Sequence, residues 1–134
     1  MYVIHVDVVY VLLYSEAMDK VLTVKNEKFW SLPGGKREHQ EMLNQAAVRE
    51  VKEETGLDVE VSDLLHVSEK VINEEHVTFI TFRGEIIGGE MGTTDSEIQE
   101  ITWKTIAEAE APMPYLGNIR ELLKNKAHYG VETS

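Results

Sequence analysis

Cysteine is absent from this sequence of 134 residues, and proline occurs only three times. Without cysteine, the chain has no disulfides, thiol catalysis or cysteine-based zinc sites, and this composition suits a cytoplasmic location. Basic residues are also scarce, because 13 lysines and arginines stand against 24 aspartates and glutamates, which gives a net charge of −11. Proteins that coat DNA or RNA need a basic surface, so we expect no general nucleic-acid binding.

The sequence also lacks a hydrophobic run long enough to cross a membrane. The apolar N-terminal stretch 2–14 has no basic start, contains His5 and Asp7, and is too short to span a bilayer. We therefore predict a strand there and no membrane association. The length predicts a single domain over residues 1–134, and the sequence leaves open whether the chain forms a homodimer.

Hydrophobic spacing predicts a strand-rich chain with a few helices. Alternating apolar residues predict strands at 2–14, 20–25, 29–32, 59–71, 76–87 and 98–103, with 59–71 and 76–87 forming a hairpin. Helical spacing predicts helices at 43–55, 105–111 and 116–127. The Gly- and Thr-rich stretch 88–95 is typical of a loop that carries substrate contacts. This pattern indicates an α+β fold in which helices cover a mixed sheet.

The helix 43–55 follows a sharp turn at Pro33-Gly34-Gly35. Proline fixes the backbone angle φ, whereas glycine allows conformations and close approaches that other residues resist. From Leu43 to Thr55 there is neither Gly nor Pro, and strong helix formers dominate. Gly56 stands where a left-handed cap is expected to end the helix.

Three carboxylates share one face of this helix. At about 100° per residue, Glu50, Glu53 and Glu54 fall within an arc of roughly 100°, beside Ala46 and Ala47. Two unit charges about 6 Å apart repel by roughly 3 kcal/mol at an effective dielectric constant of about 20. A hard divalent cation, which prefers oxygen ligands, would neutralise this face; the alternative is an ordinary solvated acidic face.

The spacing of these residues resembles the Nudix box, Gly-x5-Glu-x7-Arg-Glu-apolar-x-Glu-Glu-x-Gly-apolar. Every specified position is filled here, by Gly35, Glu41, Arg49, Glu50, Val51, Glu53, Glu54, Gly56 and Leu57. The preceding Leu-Pro-Gly-Gly-Lys at 32–36 and Glu38 are also similar to the family. One departure from common usage is Gln40, which occupies a position where many members carry glycine.

The resemblance implies a Nudix-type α/β/α sandwich that hydrolyses a nucleoside diphosphate derivative with Mg²⁺ or Mn²⁺. Water attacks one phosphorus of the pyrophosphate while the metal holds the oxygens, a chemistry that depends on positioning and charge neutralisation. By their positions in the motif, Glu53 and Glu54 resemble metal ligands. Glu50 resembles either a third ligand or the base that orients the water.

The resemblance also implies supporting roles for neighbouring residues. Gly34 or Gly35 would offer a backbone carbonyl to the metal. Arg49 resembles the arginine that braces the acids of the box, and Glu41 belongs to the same brace.

Three further predictions concern residues outside the box. Glu97 precedes Trp103 much as a late glutamate does in MutT-like enzymes, where it ligates metal or activates water; the alternatives are an ordinary loop carboxylate and Glu100. Asn118 resembles the base-reading asparagine of those enzymes, although asparagine is also common at helix starts. The last prediction is a basic patch near the turn that binds phosphates, formed by Lys36 and Arg37 with Lys25 and Lys28.

The predicted substrate is a small nucleotide such as a (d)NTP or an oxidised dNTP. A nucleotide-sensing module without turnover is the main alternative from another class, and the complete set of box glutamates speaks against it. Hydrolysis of ADP-ribose, nucleotide sugars or RNA 5′ ends stays open, and the acidic composition disfavours the RNA ends.

Overall fold

The computed structural model describes residues 3–133. The strands are β1 (Ile4–Ser15), β2 (Lys20–Lys25), β3 (Trp30–Ser31), β4 (Gly34–Lys36), β5 (Leu57–Ile72), β6 (Glu75–Gly89) and β7 (Glu100–Thr105). The helices are α1 (Leu43–Thr55), α2 (Ile106–Glu110) and α3 (Ile119–Leu122), with a 3₁₀ turn at Pro114–Leu116. Within residues 3–133, every helix is too short or too polar to cross a membrane.

Strand β1 is the centre of a seven-stranded mixed sheet. It runs parallel to β6 and antiparallel to both β2 and β4, and the sheet order is β3-β2-β1-β6-β5 with β4 paired to β1 and β7 to β2. From Val8 to Leu13, all of β1 except Tyr10 is buried, as expected for a strand covered on both faces.

Helical layers cover both faces of the sheet. On one face, α1 packs Ala46, Ala47 and Val51 against a cluster that includes Val11 and Phe82. On the other face, α2, the 3₁₀ turn and α3 pack a second cluster against β1 and β2, formed by Leu12, Val21, Leu32, Leu65, Ile106, Ala109, Met113, Leu116, Ile119 and Leu122. The small side chains on α1 allow it to lie close to the sheet, which brings its acidic face to the end of β4.

Most of the predicted elements are confirmed. The helix 43–55 and the strand 20–25 have the predicted bounds, and Gly56 ends α1 with a φ of 78°. The hairpin of β5 and β6 is also confirmed; its two-residue turn places Asn73 and Glu74 at positive φ, as a type I′ turn requires. In the predicted N-terminal strand, Tyr2 lies outside the described residues.

One prediction about local structure is incomplete and another is wrong. The sharp turn predicted at Pro33-Gly34-Gly35 leads directly into a short strand, β4, which sequence patterns miss because glycine is depleted in strands. The predicted helix 116–127 is a 3₁₀ turn followed by the four-residue α3, because Gly117 has a φ of 69° and interrupts the helix. After α3 the chain bends, and Ala127 forms a β-bridge with Leu64.

Candidate active site

The glycine turn brings the backbone of β4 against two neighbouring elements. A Cβ on Gly34 would collide with the backbone of Val9 and with the ring of Tyr10. A Cβ on Gly35 would stand 2.6 to 2.7 Å from the carboxylate atoms of Glu50. Close approach to backbone therefore requires glycine at position 34, whereas at position 35 the neighbour is the end of the flexible Glu50 side chain. The end of β4 lies directly beside the acids of α1.

Helix α1 presents its three acids at different depths. Glu54 is buried, with 8% of its surface exposed, whereas Glu50 and Glu53 are half-buried. Glu54 Oε1 accepts a hydrogen bond of 2.9 Å from the backbone N–H of Gly34, which ties the helix to the turn. Glu54 therefore points toward the glycine turn, whereas 46% of the Glu53 side chain is exposed.

Arg49 is the counterion of this acidic face. Its guanidinium donates to Glu41 through two nitrogens, at 2.6 and 2.9 Å, and to Glu50 at 2.9 Å and Glu53 at 3.3 Å. It also donates to the carbonyl of Lys36 at 3.1 Å, so it joins the turn to the helix. A planar fork of five N–H groups suits this task, because one side chain must reach several acceptors at once.

Burial and crowding raise the pKa values of two acids. Burial, followed by repulsion from Glu50, Asp95 and Glu53, raises the pKa of Glu54 to about 8, against the opposing effect of the Gly34 hydrogen bond. Burial also raises the pKa of Glu50, although Arg49 counteracts it. The hydrogen bonds from Arg49 lower the pKa of Glu41. Arg49 therefore compensates Glu41 fully and Glu50 in part, whereas the causes that act on the pKa of Glu54 include no positive charge.

The donor chemistry of the site fits a hard divalent cation. The side chains of Glu50, Glu53 and Glu54 and the carbonyls of the glycine turn are all oxygen donors, which Mg²⁺ and Mn²⁺ prefer. A buried carboxylate with a raised pKa has a large electrostatic gain from a cation beside it. Within residues 3–133, no three acidic or histidine side chains converge into a ready-made metal cage. Arg49 instead holds oxygens of Glu50 and Glu53.

Gln40, which stands where many family members carry glycine, adopts a backbone conformation that is unfavourable for glutamine. Gln40 has a φ of 69°, a left-handed conformation that favours glycine over residues with a Cβ. The loop nevertheless delivers Glu41 to Arg49, so the brace is formed with glutamine at this position.

The loop between β6 and β7 brings an acid to the site that the sequence analysis did not name. Asp95 is half-buried, and its charge is among the causes that raise the pKa values of Glu50 and Glu54. Glu97 is exposed and lines a cleft of about 400 Å³ together with Asn26 and Lys28. The sequence predicts that the loop 88–95 carries substrate contacts, but its pattern does not distinguish Asp95 from the other residues of the loop.

Two of the predicted substrate-binding residues, Lys36 and Arg37, are neighbours at the end of β4, and the third, Asn118, precedes α3. Lys36 is exposed at the end of β4, while Arg37 forms a 2.6 Å ion pair with Asp7. Asn118 is the N-cap of α3, where its side chain accepts from the backbone N–H of Glu121 at 3.1 Å. The structure therefore brings the box acids and their brace together. Lys36 touches the brace through its carbonyl, whereas the side chains of Arg37 and Asn118 contact other residues.

Tyr10 is a further residue beside the acids that the sequence analysis did not single out. Its ring stacks against Phe79, with 6.3 Å between centroids and an angle of 11° between planes. Burial, then the charges of Tyr115 and Glu54, raises the pKa of Tyr10 to about 12. The face of the sheet opposite α1 therefore carries an aromatic wall close to Glu54.

Comparisons with known proteins agree on one family. The model of the NUDIX domain matches residues 4–125. A Methanocaldococcus jannaschii protein named ADP-ribose pyrophosphatase is 40% identical over 87 residues, which cover 60% of this chain and 52% of that protein. A Bacillus subtilis protein with a provisional assignment as an 8-oxo-dGTP diphosphatase is 33% identical over 98 residues, which cover 70% of this chain and 62% of that protein. The chain thus spans between half and two thirds of the length of these two curated relatives.

A solved structure supports the architecture. A NUDIX hydrolase from Nitrosomonas europaea has a TM-score of 0.79 to this chain, with 24% identity and coverage of 91% of this chain and 90% of that one. This similarity confirms the predicted α/β/α sandwich.

Proposed function

The chain belongs to the Nudix family, and on that premise we propose that it hydrolyses the pyrophosphate linkage of a small nucleoside diphosphate derivative, such as a (d)NTP or an oxidised dNTP. One observation carries the proposal: the three acids of α1 lie beside the glycine turn, with Glu54 buried and its pKa raised to about 8. Such a group is costly to the fold unless a cation or a proton neutralises it.

The family depends on divalent metal, generally Mg²⁺ or Mn²⁺. In this chain Glu53, Glu54 and Glu50 would hold the ion together with a carbonyl of Gly34 or Gly35. When bound, such an ion neutralises charge on the pyrophosphate oxygens and acidifies water. Glu50 would serve either as a third ligand or as the base that orients the attacking water.

The brace keeps the acids in place before any substrate arrives. Arg49 holds Glu50 and Glu53 from one side, and Glu41 fixes the guanidinium from the other. Preorganised charged groups lose little free energy to reorganisation during a reaction, which favours catalysis. We assign Arg49 and Glu41 to this positioning role, and Lys36 and Arg37 to contact with substrate phosphates.

ADP-ribose is the second candidate substrate. The relative that is 40% identical to this chain is named for ADP-ribose, whereas the relative named for 8-oxo-dGTP is 33% identical. Both compounds are nucleoside diphosphate derivatives, so the same acids would serve either one. The aromatic wall of Tyr10 and Phe79 is suited to stacking against the base of both.

The proposal is tested with a panel of (d)NTPs, 8-oxo-dGTP, ADP-ribose, nucleotide sugars and dinucleoside polyphosphates, each with and without Mg²⁺. We expect metal-dependent product release from a nucleotide of the panel. Loss of one metal ligand removes several kcal/mol of charge stabilisation, so Glu53→Gln should lower kcat on the order of 10²-fold or more. Glu54→Gln serves as the second variant.

Two results would contradict this function. Binding of nucleotides without any cleavage would favour the nucleotide-sensing module. Full activity in both glutamine variants would remove the assignment of Glu53 and Glu54 as metal ligands. Circular dichroism of each variant separates loss of activity from loss of fold.

A further inference from the structure

The loop that follows β6 is packed against the C-terminal end of α1. Gly56 ends this helix, and a Cβ at that position would collide with the backbone carbonyl oxygens of Glu90 and Gly92. The backbone N–H of Gly92 also donates to the carbonyl of Thr55 at 2.8 Å. The loop therefore lies in direct backbone contact with the last turn of the helix.

Thr94 holds this turn at a second point. Its backbone N–H donates to the carbonyl of Glu53 at 2.9 Å, and its hydroxyl donates to the same oxygen at 3.2 Å. Within residues 3–133, this carbonyl is the one acceptor that the Thr94 hydroxyl reaches. The Thr93 hydroxyl lies 3.3 Å from the Glu53 oxygen and 3.2 Å from the carbonyl of Asp95, so its single proton serves one of them at a time. Thr94 is therefore the residue of the loop whose side chain donates to α1 alone.

The last turn of α1 needs such partners, because the final four carbonyls of a helix have none within it. The N–H of Gly56 donates to the carbonyl of Lys52 at 2.9 Å, whereas the carbonyls of Glu53 and Thr55 accept from the loop. A helix end that lacks partners for its carbonyls opens more readily than the rest of the helix. Because this turn carries the side chains of Glu53 and Glu54, its order affects two of the proposed metal ligands.

Glu53 depends on this support more than the other acids of α1. The side chain of Glu54 is buried and accepts from the N–H of Gly34 at 2.9 Å, and that of Glu50 accepts from Arg49 at 2.9 Å. The side chain of Glu53 is 46% exposed, and its hydrogen bond with Arg49 is longer, at 3.3 Å. The backbone at Glu53 therefore has a large part in fixing where its carboxylate lies.

We propose that Thr94 is a positioning residue for the divalent cation: by holding the Glu53 carbonyl, it keeps the Glu53 carboxylate in one arrangement with Glu50 and Glu54 before the cation binds. This inference rests on the proposed function, because it concerns the same acids. In this role Thr94 acts through the backbone of α1 and does not contact the cation. A preordered set of ligands loses less conformational entropy on binding, so removal of the hydroxyl should weaken the affinity for the cation.

The test is the Mn²⁺ affinity of Thr94→Val, measured by isothermal titration calorimetry in the absence of nucleotide. Valine keeps the shape of threonine and the backbone N–H but lacks the hydroxyl. Loss of one neutral hydrogen bond should weaken Mn²⁺ binding by about three- to fivefold, whereas Thr94→Ser, which retains the hydroxyl, should bind Mn²⁺ within about twofold of the wild type. The matched control is Thr102→Val, which removes a hydroxyl that donates to Glu100 at 3.2 Å in β7, a strand paired with β2, and it should leave the Mn²⁺ affinity unchanged.

Steady-state kinetics give a second readout that a purely structural role would not change. With the nucleotide of the panel that is cleaved fastest, the Mg²⁺ concentration for half-maximal rate should rise in Thr94→Val by the same factor as the loss of Mn²⁺ affinity. At saturating Mg²⁺, kcat should stay close to the wild-type value, because the bound cation restores the arrangement of the acids. A role in stability alone would lower the folded fraction, measured by circular dichroism, and leave both metal dependences unchanged.

Three results would count against the inference. Wild-type Mn²⁺ affinity in Thr94→Val would overturn it and leave the proposed function intact. An equal loss of affinity in Thr94→Ser would overturn it as well, because the hydroxyl would then not be the group that matters. Failure of the wild-type protein to bind Mn²⁺ would remove the proposed function and this inference with it. If Thr94→Val does not fold, Thr94→Ala also lacks the hydroxyl and is measured in the same way.

Discussion

The two helical layers of this protein cover opposite faces of one sheet but bury different chemistry. On the side of α1, small apolar residues lie beside Glu54, a buried carboxylate with a raised pKa. On the side of α2 and α3, the buried cluster is apolar throughout, with Met113 and Ile119 completely buried. The difference indicates a division of roles, in which the C-terminal layer stabilises the sheet and α1 gives up stability to hold reactive groups.

Truncation in the C-terminal layer tests this division with the largest expected effect. Met113→Ala removes a completely buried side chain and should lower the free energy of unfolding by about 2 to 5 kcal/mol. Because Met113 is on the layer away from the box acids, kcat/KM of the folded fraction should change little. Urea denaturation and steady-state kinetics of the same preparation provide both measurements.

Met18→Ala is the matched control, since Met18 is 46% exposed in the turn after β1. It should change the free energy of unfolding by less than about 0.5 kcal/mol. A loss of kcat/KM in Met113→Ala at full foldedness would show that the two layers do not have separate roles.

The pH dependence of the free energy of unfolding tests whether the buried acid of α1 destabilises the fold. The pKa of Glu54 is about 8 in the folded chain and 4.5 for an ordinary glutamate, so the folded state binds more protons between these values. The stabilisation from protonated Glu54 is fully present below pH 4.5. As pH rises from 4.5 to about 8, the free energy of unfolding should fall by up to about 1.4 kcal/mol per pH unit.

In the Glu54→Gln variant the free energy of unfolding should not show this decrease with pH, because glutamine does not titrate. Urea denaturation in a chelating buffer from pH 5 to 8 compares the two proteins, with Glu16→Gln as an exposed control. Addition of Mn²⁺ should recover stability at pH 8 in the wild type, since a bound cation favours the ionised carboxylate. Equal slopes in wild type and Glu54→Gln would show that Glu54 is not the titrating group.

The same two layers differ in how far the sequence predicts them. Helix α1 is fixed by local information: strong helix formers from Leu43 to Thr55 and a glycine cap at Gly56. The C-terminal segment has apolar residues at helical spacing, and Ile119 and Leu122 are indeed buried. Spacing indicates which side chains face the core, but it does not fix the path between them.

The site divides in the same way. The box residues were identified from spacing within one helix and its turn, and their convergence depends on local structure. The loop after β6 contacts α1 through hydrogen bonds that join Thr93 and Thr94 to Glu53, about 40 residues earlier in the chain. No local pattern encodes such contacts, because they depend on the hairpin of β5 and β6 that separates the two segments.

Asn118 offers the smallest and most discriminating test of the C-terminal layer. Its side-chain oxygen caps α3 by accepting from the Glu121 N–H at 3.1 Å, while the predicted role in base reading needs its amide group. Aspartate at this position would lack the amide donor but cap equally well, so Asn118→Asp should change the free energy of unfolding by no more than a few tenths of a kcal/mol. Asn118→Ala, which loses the cap, should cost about 1 kcal/mol.

Kinetics with the best nucleotide of the panel then separate the two roles of Asn118. If the residue is a cap alone, KM of Asn118→Asp equals that of the wild type, and the C-terminal layer has no part in substrate recognition. If the amide reads the base, KM rises in Asn118→Asp while stability is retained, because a site built around a hydrogen bond discriminates strongly against its loss. The second result would add a base-reading residue of the C-terminal layer to the aromatic wall of Tyr10 and Phe79, so that the face opposite α1 selects the substrate that the acids of α1 cleave.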